Sequence, residues 1–408
     1  MSELRSVKSF VLGGARIVGP AGANVKVRTL RVEAGRVTEE AAGAREDDLE
    51  ISLEGHLVFP GLVNAHDHLG LNAFPRPDAS GPHASAYAWI EALQPLLASR
   101  PFRAVREIDE AVRARHGALK NLLSGVTTVA HHDPWLPVMG DGTFPVRVVA
   151  PYGWCHSPKL AGTYGPSIRE SLAATPLGAR WFIHLAEGTD AEAERELGRL
   201  DALGGLGPAT VLIHGVGLSA AGVLRVLSAG AGVVWCPASN LRVLGSTLDP
   251  RPLLAAGRLA LGTDSRLSGA SDLLEELEVA RDVSGLPAPD LLRLVTEQAA
   301  ALLGVPSAGH LEPGAVADFV VVPDVDGDPR AALVGFPRSL LRAVVLGGVP
   351  RVADPDLLPW LEAAGVPVRH VLLDGAAKLV DARLFTVEAS ALEPGLSLEA
   401  AGPVACGS

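Results

Sequence analysis

Between residues 58 and 304 the chain repeats one unit: a short run of Val, Ile, Leu and Ala, apolar on both faces, then a more polar stretch with helical spacing. The runs are VFPGLVNAHDH (58–68), VTTVAHHD (126–133), VRVVAPYGW (146–154), RWFIHLAEG (180–188), TVLIHGVGLS (210–219), GVVWCPASN (232–240) and LALGTDS (259–265). The stretches between them include AVREIDEAVRARHGALKNLLS (104–124) and AEAERELGRLDALGG (191–205). Strands that are apolar on both faces need a cover on each side, so the pattern predicts an α/β fold with a parallel sheet wrapped in helices. At this length the expected closure is a TIM-like (β/α) barrel.

The two ends of the chain differ from this middle. Residues 1–57 alternate apolar residues with Gly turns and read as a small β-rich unit, and the pattern changes at Phe59-Pro60-Gly61. Residues 305–352 return to β character and are expected to complete the sheet begun by 1–57. The 353–408 extension holds an expected helix (PDLLPWLEAAG) and two expected strands (VRHVLLDG and AKLVDARLF), packed with that sheet. Its last twenty residues, rich in Ala, Gly, Ser and Glu, are expected to be poorly ordered.

Composition excludes several function classes. With 48% hydrophobic and 20% charged residues the chain is an ordinary globular one, not a disordered one. A net charge of −11 without a basic cluster argues against nucleic acid and anionic membrane surfaces as partners. Three cysteines (Cys155, Cys236, Cys406) are too few for a disulfide framework or a Cys-rich zinc site. The N-terminus lacks the apolar core of a signal peptide, and no apolar run is long enough to span a membrane. The expectation is a cytoplasmic protein acting on a small molecule.

Most of the twelve histidines mean little singly. His66 and His68 are different, because residues i and i+2 of a strand point to the same face while Asp67 points away. His184 closes a very apolar strand, with Glu187 three residues on. His214 closes another, and Asp264 a third. A carboxylate or imidazole buried at such a place needs a partner or a metal. These polar groups, all at the C-terminal tips of apolar strands, stand where barrel enzymes build their sites.

The motifs PGLVNAHDH (60–68), SGVTTVAHHD (124–133), HLAE (184–187), HGVGLS (214–219), WCPASN (235–240), LGTDS (261–265) and LEPGAVADFVVV (311–322) resemble those of the amidohydrolase superfamily. Within it they resemble the aminohydrolase branch, with its cytosine, guanine and S-adenosylhomocysteine deaminases and triazine hydrolases. The resemblance covers residues 52–350. It implies a distorted (β/α) barrel plus a small composite β-sandwich made from both chain ends. The implied domains are 1–57 (sandwich, first part), 58–304 (catalytic barrel), 305–352 (sandwich, second part) and 353–408 (extension). Residues 155–179 hold only a loop and one short helix where the family has a further strand, so the fourth strand is expected to be degenerate or missing.

Carried over by position, the resemblance makes His66, His68, His184 and Asp264 the ligands of one divalent metal. It makes Glu187 the proton shuttle and His214 the group that binds the attacking water or the developing oxyanion. Two-metal relatives use a carboxylated lysine on a central strand. Lys120 lies in a predicted helix and Lys159 in a polar loop, so one metal is expected. Zinc suits this donor set, and iron or manganese also fit it.

The implied reaction is hydrolytic deamination of a small nitrogen-rich ring or amidine. The alternatives are hydrolysis of an amide or carbon–halogen bond at the same site, or a non-catalytic scaffold. Candidate substrate residues are Asn72, His132, Trp154, His156 and Arg266, with His83, Trp89 and Trp135 as further residues of the mouth. For His132 and His156 a loop hydrogen bond is the competing role, for Arg266 a salt bridge, and for Trp89 a place in the core. The loop from Asn72 to Tyr87 is a candidate lid. By analogy of fold, a homo-oligomer is expected.

Overall fold

The computed structural model describes residues 9–19, 25–38, 45, 48–77, 81–324 and 328–398. Its centre is a run of short parallel strands. Leu62–Asp67 pairs with Val126–His131, and that strand pairs with Arg147–Val148. Three residues later the chain resumes as Tyr152–Cys155, which pairs with Arg180–Leu185. Thr210–His214, Gly232–Trp235 and Leu259–Leu261 follow in order, each parallel to the one before. A parallel bridge between Asp67 and Asp264 connects the far end of the run with its beginning. Every residue of Leu62–Asp67, Val126–His131, Thr210–His214 and Gly232–Trp235 is buried, as strands covered on both faces must be.

Between Tyr152–Cys155 and Arg180–Leu185 the described residues contain the helix Ile168–Ala174 and no strand, and Cys155 pairs straight onto Ile183. The intervening helices start on side chains suited to the task. Asp109, Asp190, Ser219 and Asp272 accept hydrogen bonds from the free amides of the helices beginning at Glu110, Ala191, Ala220 and Leu273.

Strands from both chain ends share a nine-stranded sheet. In it His56–Pro60 lies between Phe319–Pro323 (antiparallel) and Arg16–Ile17 (parallel). A four-stranded sheet holds Ser9–Gly13, Leu30–Glu33, Arg36–Val37 and Leu49–Ser52. Phe10, Leu12 and Ile17 pack with Phe319, Val321 and Trp360 in one apolar cluster. Gly61 is the step from the nine-stranded sheet into the parallel strands. A Cβ there would lie 2.4 Å from Thr127 Oγ1, so only glycine passes.

The tail departs from its expectation. Leu396–Leu398 pairs with Val368–Leu373, and Glu393 is buried, so the residues up to 398 are held by packing rather than loose. Residues 399–408, with Cys406, lie outside the described residues. No helix among the described residues is long and apolar enough to cross a membrane.

Candidate functional site

Strand register brings four distant side chains to one point. His66 is the penultimate residue of the Leu62–Asp67 strand and His68 follows the strand, while Leu185↔His214 pairing sets His184 beside the tip that carries His214. Thr263 and Asp264 donate backbone hydrogen bonds to His66 O (3.0 and 3.1 Å), and His68 N donates to Asp264 O (2.7 Å). His184 Nε2 then lies 3.1 Å from His68 Nε2 and 3.3 Å from His66 Nε2. Asp264 Oδ1 lies 3.6 Å from His66 Nε2 and 3.7 Å from His68 Nε2. All four side chains are buried.

These separations are those of a cation's donor set. Zinc with bonds of about 2.05 Å in a tetrahedron has ligand atoms about 3.4 Å apart. The tautomers agree. His184 Nδ1 donates to His156 O (2.7 Å), which leaves Nε2 as a lone pair facing the other two rings. His68 Nδ1 is held by Asp133 Oδ2 at 2.8 Å. Burial opposes charge on His68, but the carboxylates of Asp133 and Asp264 raise it to about 9. The 3.1 Å approach of His68 Nε2 to His184 Nε2 is a place that suits a shared proton or a cation. Burial would also raise Asp264, yet its hydrogen bond with His66 and the neighbouring imidazoles hold it well below the usual carboxylate range. Ser239 and Ser268 donate to its Oδ2 at 2.7 and 2.5 Å.

Glu187 and His214 stand beside this cluster. Burial, then the charges of Asp264 and Glu196, push the Glu187 carboxyl well above its ordinary value. Its Oε1 is 3.5 Å from His214 Nε2. His214 Nδ1 donates to Asn240 Oδ1 at 2.8 Å, and that amide is oriented by Nδ2 donating to Thr247 Oγ1. Burial lowers His214 to about 4, so it is a neutral imidazole with Nε2 free to accept. Ala186, His214 and Asp264 adopt φ values of 53°, 74° and 60°. Such left-handed backbone costs on the order of 1–3 kcal/mol per non-glycine residue, and here it is concentrated at the tips that carry the chemistry.

The cluster opens into a cavity of about 450 Å³. His68, His184, Glu187, His214 and Asp264 line it, together with His156 and Trp89 from the sequence reading. The other substrate candidates are not in its walls. Asn72 Nδ2 donates to Asp67 Oδ1 (2.7 Å) and its Oδ1 accepts from Lys120. Arg266 makes a two-pronged pair with Glu393 of the tail, at 2.7 Å on each oxygen. Trp154 and Trp135 line a separate depression. His132 is buried behind the cluster, stacked on His184 at 4.2 Å, with its Nε2 on Cys155 O and its Nδ1 without a partner. Its ligand atom lies within 4.8 Å of those of His66, His68 and His184. Of the candidate lid, the 83–86 end is pinned: His83 N donates to Val243 O and Ala86 N to Glu187 O. Residues 78–80 lie outside the described residues.

Several residues escaped the sequence reading. Asp133, which orients His68, could have been found from its place in the 131–133 run. Ser239 and Asn240, in the WCPASN motif, bond directly to Asp264 and His214. Tyr164, whose hydroxyl donates to Asp133 Oδ1 (3.1 Å) at the cavity, left no signal in the sequence.

Comparison with known proteins agrees with this chemistry. Residues 171–350 match the amidohydrolase family. The chain is 26% identical to the 8-oxoguanine deaminase of Pseudomonas aeruginosa, over 84% of this chain and 93% of that one. It is 25% identical to the 5'-deoxyadenosine deaminase of Methanosarcina mazei, over 95% of each. A zinc-bound adenosine deaminase from Xanthomonas campestris has a similar fold, with a TM-score of 0.66 at 20% identity over 87% of this chain and 97% of that one. The chain carries an amidohydrolase family domain and is a hydrolase acting on carbon–nitrogen bonds. Its buried histidine cluster is a site that could hold a metal ion.

Proposed function

We propose that the chain is a metal-dependent deaminase, releasing ammonia from an amino-bearing sp2 carbon of a small nitrogen-rich ring. The observation that carries this reading is the convergence of His66, His68, His184 and Asp264 at tetrahedral spacing, with Glu187 and His214 beside them on a cavity wall. Those four residues would hold one divalent ion, and three imidazoles with a carboxylate suit zinc. When bound, such an ion lowers the pKa of a coordinated water toward neutrality.

The chain's own groups handle the protons. Glu187, as the carboxylate, takes a proton from the attacking water; its burial favours the protonated form so produced, which then passes the proton to the ring nitrogen beside the attacked carbon. Glu187 then takes the proton of the hydroxyl now on that carbon and passes it to the amino group, which leaves as ammonia as the C=O bond forms and the C–N bond breaks. His214 Nε2 accepts a hydrogen bond from the water and fixes its direction of approach. Asp264 stays ionised and orients the water from the other side. The two deaminases to which the chain is similar support a purine-like ring as substrate.

The parallel pairing and the Asp67–Asp264 bridge support reading 58–304 as a distorted (β/α) barrel. The shared nine-stranded sheet supports reading 1–57, 305–352 and 353–408 as one β-sandwich unit. Cys155 and Cys236, both buried and free, fit a reducing compartment such as the cytoplasm.

The test is Glu187→Gln in zinc-loaded protein, assayed for ammonia across aminated purines, pterins, pyrimidines and triazines. The variant is expected to keep its metal and lose at least about 10²-fold in turnover. Undiminished turnover by the variant would remove Glu187 from the mechanism.

A further inference from the structure

We propose that the substrate carries an uncharged, apolar substituent beside its amino-bearing ring, and that the Ala86–Leu97 helix selects for it. This rests on the deaminase reading above. The helix turns Trp89, Ile90, Leu93 and Leu97 to the cavity, the spacing of one helical face. Trp89 and Leu97 pack in part on Phe74, Phe102 and Leu267, yet with Ile90 they are only half-buried and line the cavity, so the rest of this apolar stripe is left for a ligand to cover. Leu160 and Leu267 continue the apolar wall.

The wall is fixed relative to the chemistry. Ser85, which caps the helix, bridges to Gly188, and Ala86 N donates to Glu187 O at 2.9 Å. The helix start is therefore hydrogen-bonded to the segment that carries Glu187. A group attached to the reacting ring meets the stripe at a set distance from the attacked carbon.

Charge narrows the substituent further. Among the described residues lining the cavity there is no lysine or arginine, whereas Asp133, Glu187 and Asp264 all face it. A carboxylate or phosphate on the substituent would give up its hydration against the apolar wall, with no lysine or arginine among the described lining residues to pair with it. A cationic substituent would find both oxygens of Asp133 already engaged, by His68 and by Tyr164. An uncharged apolar group is the one that loses nothing there.

The test uses matched substrates on aminopurine, aminopterin and aminotriazine rings, each bearing n-butyl, 3-carboxypropyl or 4-aminobutyl. Ammonia release by the zinc-loaded protein gives kcat/KM for each. On any ring that reacts, the butyl compound is expected to exceed both charged ones by tenfold or more, chiefly through KM. Ile90→Arg is expected to shrink or reverse the butyl-to-carboxypropyl ratio, with circular dichroism and metal content showing that the variant is folded and loaded. A charged compound that reacts as well as the butyl one overturns this proposal and leaves the deaminase reading standing. No ammonia from any ring overturns both.

Discussion

Lys120 and Glu276 are both fully buried ionisable residues, and their surroundings treat them in opposite ways. Lys120 Nζ lies 3.0 Å from Asp67 Oδ2 and 2.9 Å from Asn72 Oδ1. An ammonium paired in this manner is not free to be carboxylated, which supports the one-metal reading. Glu276 has no cation. Its Oε1 accepts from Ala238 N at 2.9 Å, its Oε2 has no partner, and burial raises it from 4.5 to about 8. A folded pKa above the unfolded one means that the folded state keeps a proton which the unfolded state has lost. Stability therefore falls as pH rises from 4.5 through 8, by up to about 1.4 kcal/mol per pH unit. Glu276→Gln removes that dependence. Its Tm relative to the natural protein should rise between pH 5 and pH 8.5, and a difference that stays constant with pH would contradict the account.

The Glu110–Leu123 helix illustrates how an element can set a site from a distance. It packs on the turn Leu69–Ala73, and a Cβ on Gly117 would sit 2.2 Å from Leu69 O. Leu69 follows His68. Gly117→Ala should push the turn away, cost about 1–3 kcal/mol, and weaken zinc binding. Urea denaturation and zinc titration would show both, and unchanged zinc affinity would show that the turn does not position His68. The Ala86–Leu97 helix carries a different lesson. Its apolar spacing was readable, and Trp89 was expected in the core. Periodicity reports that a face is apolar, not whether protein or a ligand covers it, so only packing could reveal the cavity wall.

Across the whole molecule, the chain's last described segment is tied to its centre. Glu393 accepts from Arg266 through both oxygens, from His116 Nε2 at 2.9 Å and from Arg338. Arg266 is two residues from Asp264, so the tail braces the loop that presents the Asp264 carboxylate. Glu393→Ala would leave the largely buried Arg266 guanidinium without its counter-charge, while Arg338 keeps Asp374, at a cost of about 3 kcal/mol. It should also lower zinc occupancy. Chemical denaturation and metal analysis test this, and a variant of unchanged stability would mean that the network is not holding the tail.

The parts of this protein that its sequence determined are those set by near neighbours. Apolar runs form buried strands, the two-residue period turns His66 and His68 to one face, and polar groups at strand tips meet once the strands lie parallel. The walls of the cavity were decided elsewhere. Asn72, His132 and Arg266 follow strands just as His156 does, and Trp154 lies in one, yet they turn into Lys120, the back of the histidine cluster, Glu393 and a separate depression. Where a loop side chain ends up depends on contacts between residues far apart in the chain, such as Arg266 with Glu393 or Ala86 with Glu187. No local pattern encodes those contacts, so only the tertiary structure decided which groups line the cavity.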